Sequence, residues 1–137
     1  MKLVIVRGIP GTGKSTFART RFSNIFHIEN DFFHYVDGKY AFDPKRQDAA
    51  VKWCMNMTET ALSNGFDACV SNTFTRKRYV DAYRRLAEKY GAEFEVYRMH
   101  GDFENLHDVP GDVYENMKAH FDDYEGEIDI YPTKEAR

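Results

Sequence analysis

The chain has 137 residues, 42% hydrophobic and 15% aromatic, which suits a single domain with a substantial core. A net charge of −3 and a pI near 5.9 argue against a protein that grips long nucleic acid with a uniformly basic surface. No apolar run approaches bilayer length, and Leu3-Val4-Ile5-Val6 is too short and too near Met1 for a secretory signal, so the expected location is the cytoplasm, a host's if the source is viral.

Taken in chain order, Lys2 to Arg7 reads as a short buried strand. Glycines follow, then a helix over 14–22, a second strand over 25–29 and a turn at Asp37-Gly38. Asp43 is placed to cap the next helix, with Pro44 in its first position. Ala50, Trp53, Cys54, Met57 and Ala61 form the apolar stripe of that helix, and Asn64-Gly65 stops it in a left-handed turn. Residues 66–71 read as a third strand. A helix over 77–90 sets Tyr79, Val80, Tyr83, Leu86, Ala87 and Tyr90 on one side, and Gly91 ends it. A fourth strand over 92–99, a weaker helix over 111–121 and a fifth strand over 128–131 complete the chain. Strands alternating with helices imply crossovers, a parallel sheet, and a site at the carboxyl ends of the strands. The expectation is one three-layer α/β domain over residues 1–137 around a mainly parallel five-stranded sheet. Cys54 and Cys69 are expected as buried free thiols, and the five histidines show no zinc-ligand spacing. The cluster Arg76, Lys77, Arg78, Arg84 and Arg85 reads equally well as a local anion-binding patch or a solvated helix face.

The strongest signal is Gly8-Ile9-Pro10-Gly11-Thr12-Gly13-Lys14-Ser15, a complete G-x-x-x-x-G-K-[ST] between an apolar strand and a helix. Glycines let the backbone curl until several N–H groups face one phosphate chain, and the helix adds its positive end. Lys14 supplies a point charge for the terminal phosphates, and the Ser15 hydroxyl can hold Mg²⁺. The expected ligand is a nucleoside triphosphate, foremost ATP, held by Gly8, Pro10, Gly11, Thr12, Gly13, Lys14, Ser15 and Thr16. A dinucleotide fingerprint is excluded because the run from Gly11 to Thr16 lacks a third glycine.

Transfer of a phosphoryl group to a hydroxyl needs a residue to accept its proton, and Asp31, just after the second strand, is the best placed. Phe32 and Phe33 follow it as candidate pocket walls. The third strand ends in Ser71-Asn72, where many phosphate-loop ATPases carry a Mg²⁺-holding aspartate. Mg²⁺ would then depend on Ser15, phosphate oxygens and water, with Asp31 as a further candidate. Arg76 and Arg98, past the third strand and near the end of the fourth, are the candidate cations for the moving phosphoryl group, with surface ion pairs as the alternative for each.

The stretch Val6 to Thr16, together with Glu29-Asn30-Asp31-Phe32-Phe33, Asp37 to Pro44, Trp53-Cys54, Ser71-Asn72-Thr73-Phe74-Thr75 and His107-Asp108-Val109-Pro110, resembles the polynucleotide-kinase-like P-loop kinases. Within them it is most similar to small phage and bacterial ATP-binding proteins and to the kinase domain of NEDD4-binding-protein-like proteins. The resemblance implies a P-loop kinase fold and transfer of the ATP γ-phosphate to a 5′-hydroxyl of nucleic acid or a nucleotide-like substrate. It further implies Asp31 as general base, with Lys14 and Ser15 matching the phosphate-binding lysine and the Mg²⁺-binding hydroxyl; the candidate catalytic residues are Lys14, Asp31 and, from its place at the end of the fourth strand, Arg98. The charge-rich stretch over about 101–125, with its thin apolar stripe, is expected to form a short helical lid, with a fixed surface helix docked by Met117 and Phe121 as the alternative. In such kinases the lid begins with a phosphate-clamping arginine, whereas Glu104 stands there in this chain, so Arg98, Lys118 or a partner chain would replace it. Two other outcomes are a nucleotide-binding regulatory module with little turnover and a toxin-like kinase of a small nucleotide sugar.

Overall fold

A computed structural model of the chain describes residues 1–101 and 111–132. Its elements run β1 (Lys2–Arg7), α1 (Lys14–Arg21), β2 (Phe26–Ile28), a 3-10 turn (Asn30–His34), β3 (Tyr35–Val36), β4 (Lys39–Tyr40), a second 3-10 turn (Pro44–Arg46), α2 (Gln47–Ser63), β5 (Ala68–Asn72), α3 (Lys77–Tyr90), β6 (Glu93–Met99), α4 (Gly111–Ala119) and β7 (Ile128–Ile130).

Leu3, Val4, Ile5 and Val6 are all fully buried because β1 is the central strand of a five-stranded sheet ordered β2-β5-β1-β6-β7. Every pairing in that sheet is parallel. A strand covered on both faces needs a continuous apolar run, which this one has. Leu3 and Ile5 join a core with Cys54, Leu62, Val70, Val80, Tyr83 and Leu86, the layer made by α2 and α3. Val4 and Val6 join Ala18, Cys69, Tyr97 and Met99 in the layer made by α1. The result is the expected three-layer α/β architecture. Strand order reverses around β1, so a crevice opens at its carboxyl end, where ligands of such sheets bind. No helix among the described residues is long and apolar enough to cross a membrane.

The helix stripes differ from expectation at two places. Met57 and Tyr79 are exposed. The buried face of α2 runs through Cys54, Thr58, Ala61 and Leu62, and Thr58 can be buried because its hydroxyl donates to the Cys54 carbonyl at 2.7 Å. Tyr79 lies about 100° around α3 from Val80 and instead takes the Arg78 guanidinium over its ring. Asp43 caps as expected, accepting from the Lys45 amide at 3.0 Å, but the turn it starts is 3-10 before α2 begins. Cys54 and Cys69 are both buried and free, and burial pushes the Cys69 thiol up to about 12.

The sequence also hides a hairpin. β3 and β4 pair antiparallel, Tyr35 with Tyr40 and Val36 with Lys39, around the Asp37-Gly38 turn. Both turn residues have positive φ, 51° and 77°, the left-handed geometry that matches strand twist in two-residue hairpins.

Candidate active site

β1 delivers the chain into the glycine loop at the sheet's carboxyl edge. A side chain at Gly8 would meet Thr12 Oγ1 at 2.6 Å and Met99 Cβ at 3.1 Å, so only glycine lets the loop turn this tightly against β6. Gly13, at φ 87°, is the left-handed residue that opens α1. Thr12 Oγ1 donates to the Ile9 carbonyl at 2.8 Å, and Lys14 Nζ donates to the same oxygen at 3.1 Å. Lys14 is thus folded inward over the loop. Burial pushes its ammonium down to about 8, against the opposing pull of Glu29 and Asp31.

Glu29, immediately after β2, is buried, and its Oε2 accepts from Ser15 Oγ at 2.7 Å. His27 Nε2 lies 2.9 Å from the same oxygen without hydrogen-bond alignment. Burial alone would raise the Glu29 carboxyl, but His27, Ser15 and Lys14 outweigh it and hold the group below its ordinary value. The end of β5, where an acid might have stood, holds Ser71 and Asn72 instead, and Asn72 works differently. Its Oδ1 accepts from the Asn30 amide at 2.8 Å and its Nδ2 donates to Asn30 Oδ1 at 3.2 Å. This reciprocal pair fixes the 3-10 turn that carries Asp31. Asp31 is half-buried and accepts from Tyr40 Oη at 3.2 Å.

On the other side of the loop, a cleft of about 280 Å³ is lined by Gly8, Thr12, Arg98, Tyr114, Lys118 and Phe121 among others. Arg98 reaches this cleft, but its guanidinium is engaged with Asp123 at 2.5 Å and Glu127 at 3.4 Å and lies 4.6 Å from the Phe121 ring centre. Arg76 is held instead by Asp122 at 3.4 Å, the surface ion pair that was its alternative reading. The wider cleft of about 500 Å³ beside Ser23, Phe26 and Asp67 opens at the amino ends of β2 and β5, away from the loop. Glu104 and His107-Asp108-Val109-Pro110 lie outside the described residues.

The structure therefore brings Lys14, Ser15 and Asp31 to one edge of the sheet and adds two residues that sequence reasoning did not select, Glu29 and Tyr40. For Glu29 the available signal was an acid closing an apolar strand at the same edge as the loop. Nothing local marked Tyr40, because its contact depends on the hairpin.

Comparison with known proteins agrees with this geometry. The AAA domain family model matches residues 3–108, and the chain belongs to that family. It is 31% identical to uncharacterized protein PM0531 of Pasteurella multocida, over 88% of this chain and 76% of that one. It is 32% identical to NEDD4-binding protein 2 of Homo sapiens, over 64% of this chain but only 5% of that longer protein. Among solved structures, a sugar kinase from Janibacter superposes with a TM-score of 0.66 at 16% identity, over 96% of this chain and 84% of that one. The Pnkp1/Rnl/Hen1 RNA repair complex superposes with a TM-score of 0.68 at 20% identity, over 88% of this chain and 43% of the matched one. These likenesses establish the P-loop kinase-like fold.

Proposed function

We propose that this member of the AAA domain family is a kinase that transfers the γ-phosphate of ATP to a hydroxyl, preferentially the 5′-hydroxyl of a nucleic acid or of a nucleotide-like acceptor. The observation that carries the reading is the pairing of two carboxylates with the loop: Glu29 on Ser15, and Asp31 close enough to act on the Lys14 charge. A plain nucleotide switch needs no second carboxylate facing the terminal phosphates, whereas transfer needs a proton acceptor there.

In the proposed step the acceptor oxygen attacks the γ-phosphorus while its proton passes to Asp31. The new O–P bond forms as the bond from the γ-phosphorus to the bridging oxygen breaks, and ADP leaves with that electron pair. Lys14 moves from the Ile9 carbonyl to the phosphates and supplies charge to the group in flight. The residues present suit Mg²⁺: a hydroxyl and a buried carboxylate, both hard oxygen donors, meet at 2.7 Å. Ser15 would hold the ion directly, with the nucleotide and water completing its shell, and the bound ion supplies charge neutralisation at the phosphates. Arg98 and Lys118, which share the cleft beside Gly8, are the cations available to replace a lid arginine.

The engagement of Arg98 by two carboxylates favours, as the second reading, a nucleotide-binding module with little turnover. A screen with γ-labelled ATP against 5′-hydroxyl DNA, 5′-hydroxyl RNA, mononucleosides and nucleotide sugars separates them. Label on an oligonucleotide or nucleoside supports the kinase. Label on a nucleotide sugar alone moves the acceptor class, and tight ATP binding with no labelled acceptor supports the module.

A further inference from the structure

We infer that the β3–β4 hairpin is the acceptor-reading element of this site: Tyr40 is a positioning residue for Asp31, and Tyr35 offers the ring on which a planar base of the acceptor stacks. The inference rests on the reading of Asp31 as the proton acceptor.

The Asn30–Asn72 pair fixes the backbone of the turn but leaves the Asp31 carboxylate its own torsions. The phenol of Tyr40 removes that freedom by donating to Oδ1 at 3.2 Å, which leaves Oδ2 for the acceptor hydroxyl. Tyr40 remains a donor throughout the working range, since burial and then the Asp31 charge push its phenol up to about 12. The phenol therefore stays the donor of this bond.

The hairpin is anchored as a unit. The Ala41 amide donates to the His34 carbonyl at 2.7 Å. The buried His34 ring meets Gln47 Oε1 at 2.8 Å and packs against Phe42 with centroids 4.8 Å apart. Yet its outer surface is aromatic and wet. Tyr35 is 53% exposed, Phe42 53% and Tyr40 39%, and Phe32, next to Asp31, is 42% exposed. Tyr35 and Tyr40 share one face of the hairpin, with ring centroids 5.7 Å apart at 64°. Four exposed aromatic rings within eleven residues, around one carboxylate, form an apolar surface that water covers poorly. Exposed rings suit a flat π-face, and Lys39 on the same hairpin adds a cation suited to a phosphate.

The test uses the full chain, a fluorescent 5′-hydroxyl oligonucleotide and a matched one whose 5′-terminal nucleotide is abasic. Binding is read by anisotropy and transfer by γ-labelled ATP, with ATP affinity and melting as controls of folding. Tyr40→Phe keeps the ring, and is expected to lower kcat about tenfold or more while KM for ATP and for the acceptor stays within about twofold. Tyr35→Ala is expected to weaken binding of the base-bearing end about tenfold and leave the abasic end unchanged, the scale of one lost base–aromatic stack. Tyr35→Leu, which keeps apolar bulk, serves if the alanine variant melts early. An unchanged kcat in Tyr40→Phe overturns the positioning role, and equal losses on both oligonucleotides, or no loss, overturn the stacking role. If the parent binds the oligonucleotide through Tyr35 but transfers no phosphate, the kinase reading and the Tyr40 role fall while the stacking role stands. If it neither binds nor phosphorylates a base-bearing end, the hairpin assignment fails outright.

Discussion

Ser15 Oγ and Glu29 Oε2 lie 2.7 Å apart, which sets the loop hydroxyl against a buried carboxylate from the residue that follows β2 rather than from β5. Donating to that carboxylate occupies the hydroxyl's proton and leaves its lone pairs for a cation. Glu29→Gln keeps the shape and removes the charge. Its expected effect is a loss of about tenfold or more in Mg²⁺-dependent ATP affinity, the usual scale for a residue that orients a metal ligand. ATP binding in EDTA should hold or improve, because a negative charge near the phosphates is gone. Calorimetry with and without Mg²⁺ makes the comparison, and equal effects in both conditions would detach Glu29 from the cation.

Lys14 gives the site its pH dependence. Burial holds its ammonium down to about 8, from 10.5 in an exposed lysine, and a bound phosphate chain raises it again. The complex therefore binds more protons than the free protein. Affinity for metal-free ATP should be full below pH 8 and fall as pH rises through 8 toward the higher value of the complex, with proton uptake near pH 9. Lys14→Ala should abolish measurable ATP binding without unfolding the chain. The parent's heat of binding in buffers of different ionisation enthalpy reads the proton uptake directly; its absence at pH 9 would contradict the assignment.

Asp31→Asn preserves volume and the Tyr40 contact but leaves no base. Transfer should fall about 10²-fold or more, the usual scale for a general acid or base, with ATP affinity intact. Single-turnover assays at saturating substrates measure it, and a parent-like rate would exclude Asp31 from the chemistry.

The legible parts were those encoded locally. Lys2–Arg7 announced a doubly covered central strand by its unbroken apolar run, and the glycine loop announced itself by spacing alone. Asp31 was legible because it follows a strand that must end at the loop's edge. Glu29 was harder, because its partner Ser15 is fourteen residues away and meets it only once β1 and β2 are placed on either side of β5. The β3–β4 hairpin has two residues per strand, too few for an alternation to show. Nothing local marked how Arg7 could be fully buried at the end of its strand, because its partners come from residues 74, 122 and 127.

That buried arginine predicts a stability effect. Its guanidinium donates twice to the Phe74 carbonyl, once to the Asp122 carbonyl at 2.8 Å, and pairs with Glu127 at 2.7 Å. Phe74 itself sits at φ 46°, an unfavourable conformation for a side-chain-bearing residue that these bonds help to hold. Arg7→Met leaves Glu127, whose side chain is only 9% exposed, without its closest charge and should cost about 3–5 kcal/mol. Denaturant unfolding reads the loss, and a cost below about 1 kcal/mol would show that Arg98 alone satisfies Glu127.

The last prediction concerns α4 as a mobile lid. None of its residues is buried, so the helix is held to the body by little apolar area and local opening should be cheap. The segment that follows is fixed: the Asp122 amide donates to the Thr75 carbonyl at 2.8 Å, and Phe121 lies against both Arg7 and Arg98, at 4.3 and 4.6 Å. A loosely docked helix on an anchored base has the form of a lid. Its Tyr114 and Lys118 already face the cleft shared with Gly8 and Thr12. Nucleotide phosphates arriving at the loop would give the Lys118 ammonium an opposite charge across that cleft, and closure would exclude water from the transferring group. Hydrogen exchange should therefore be fast over 111–119 in the free protein and slow on addition of a non-hydrolysable ATP analogue, while 121–124 stays protected in both. Lys118→Ala should bind the analogue with less of that added protection. Strong and equal protection of 111–119 with and without nucleotide would make α4 a fixed surface helix, and the cation that clamps the phosphates would then have to be Arg98 or come from another chain.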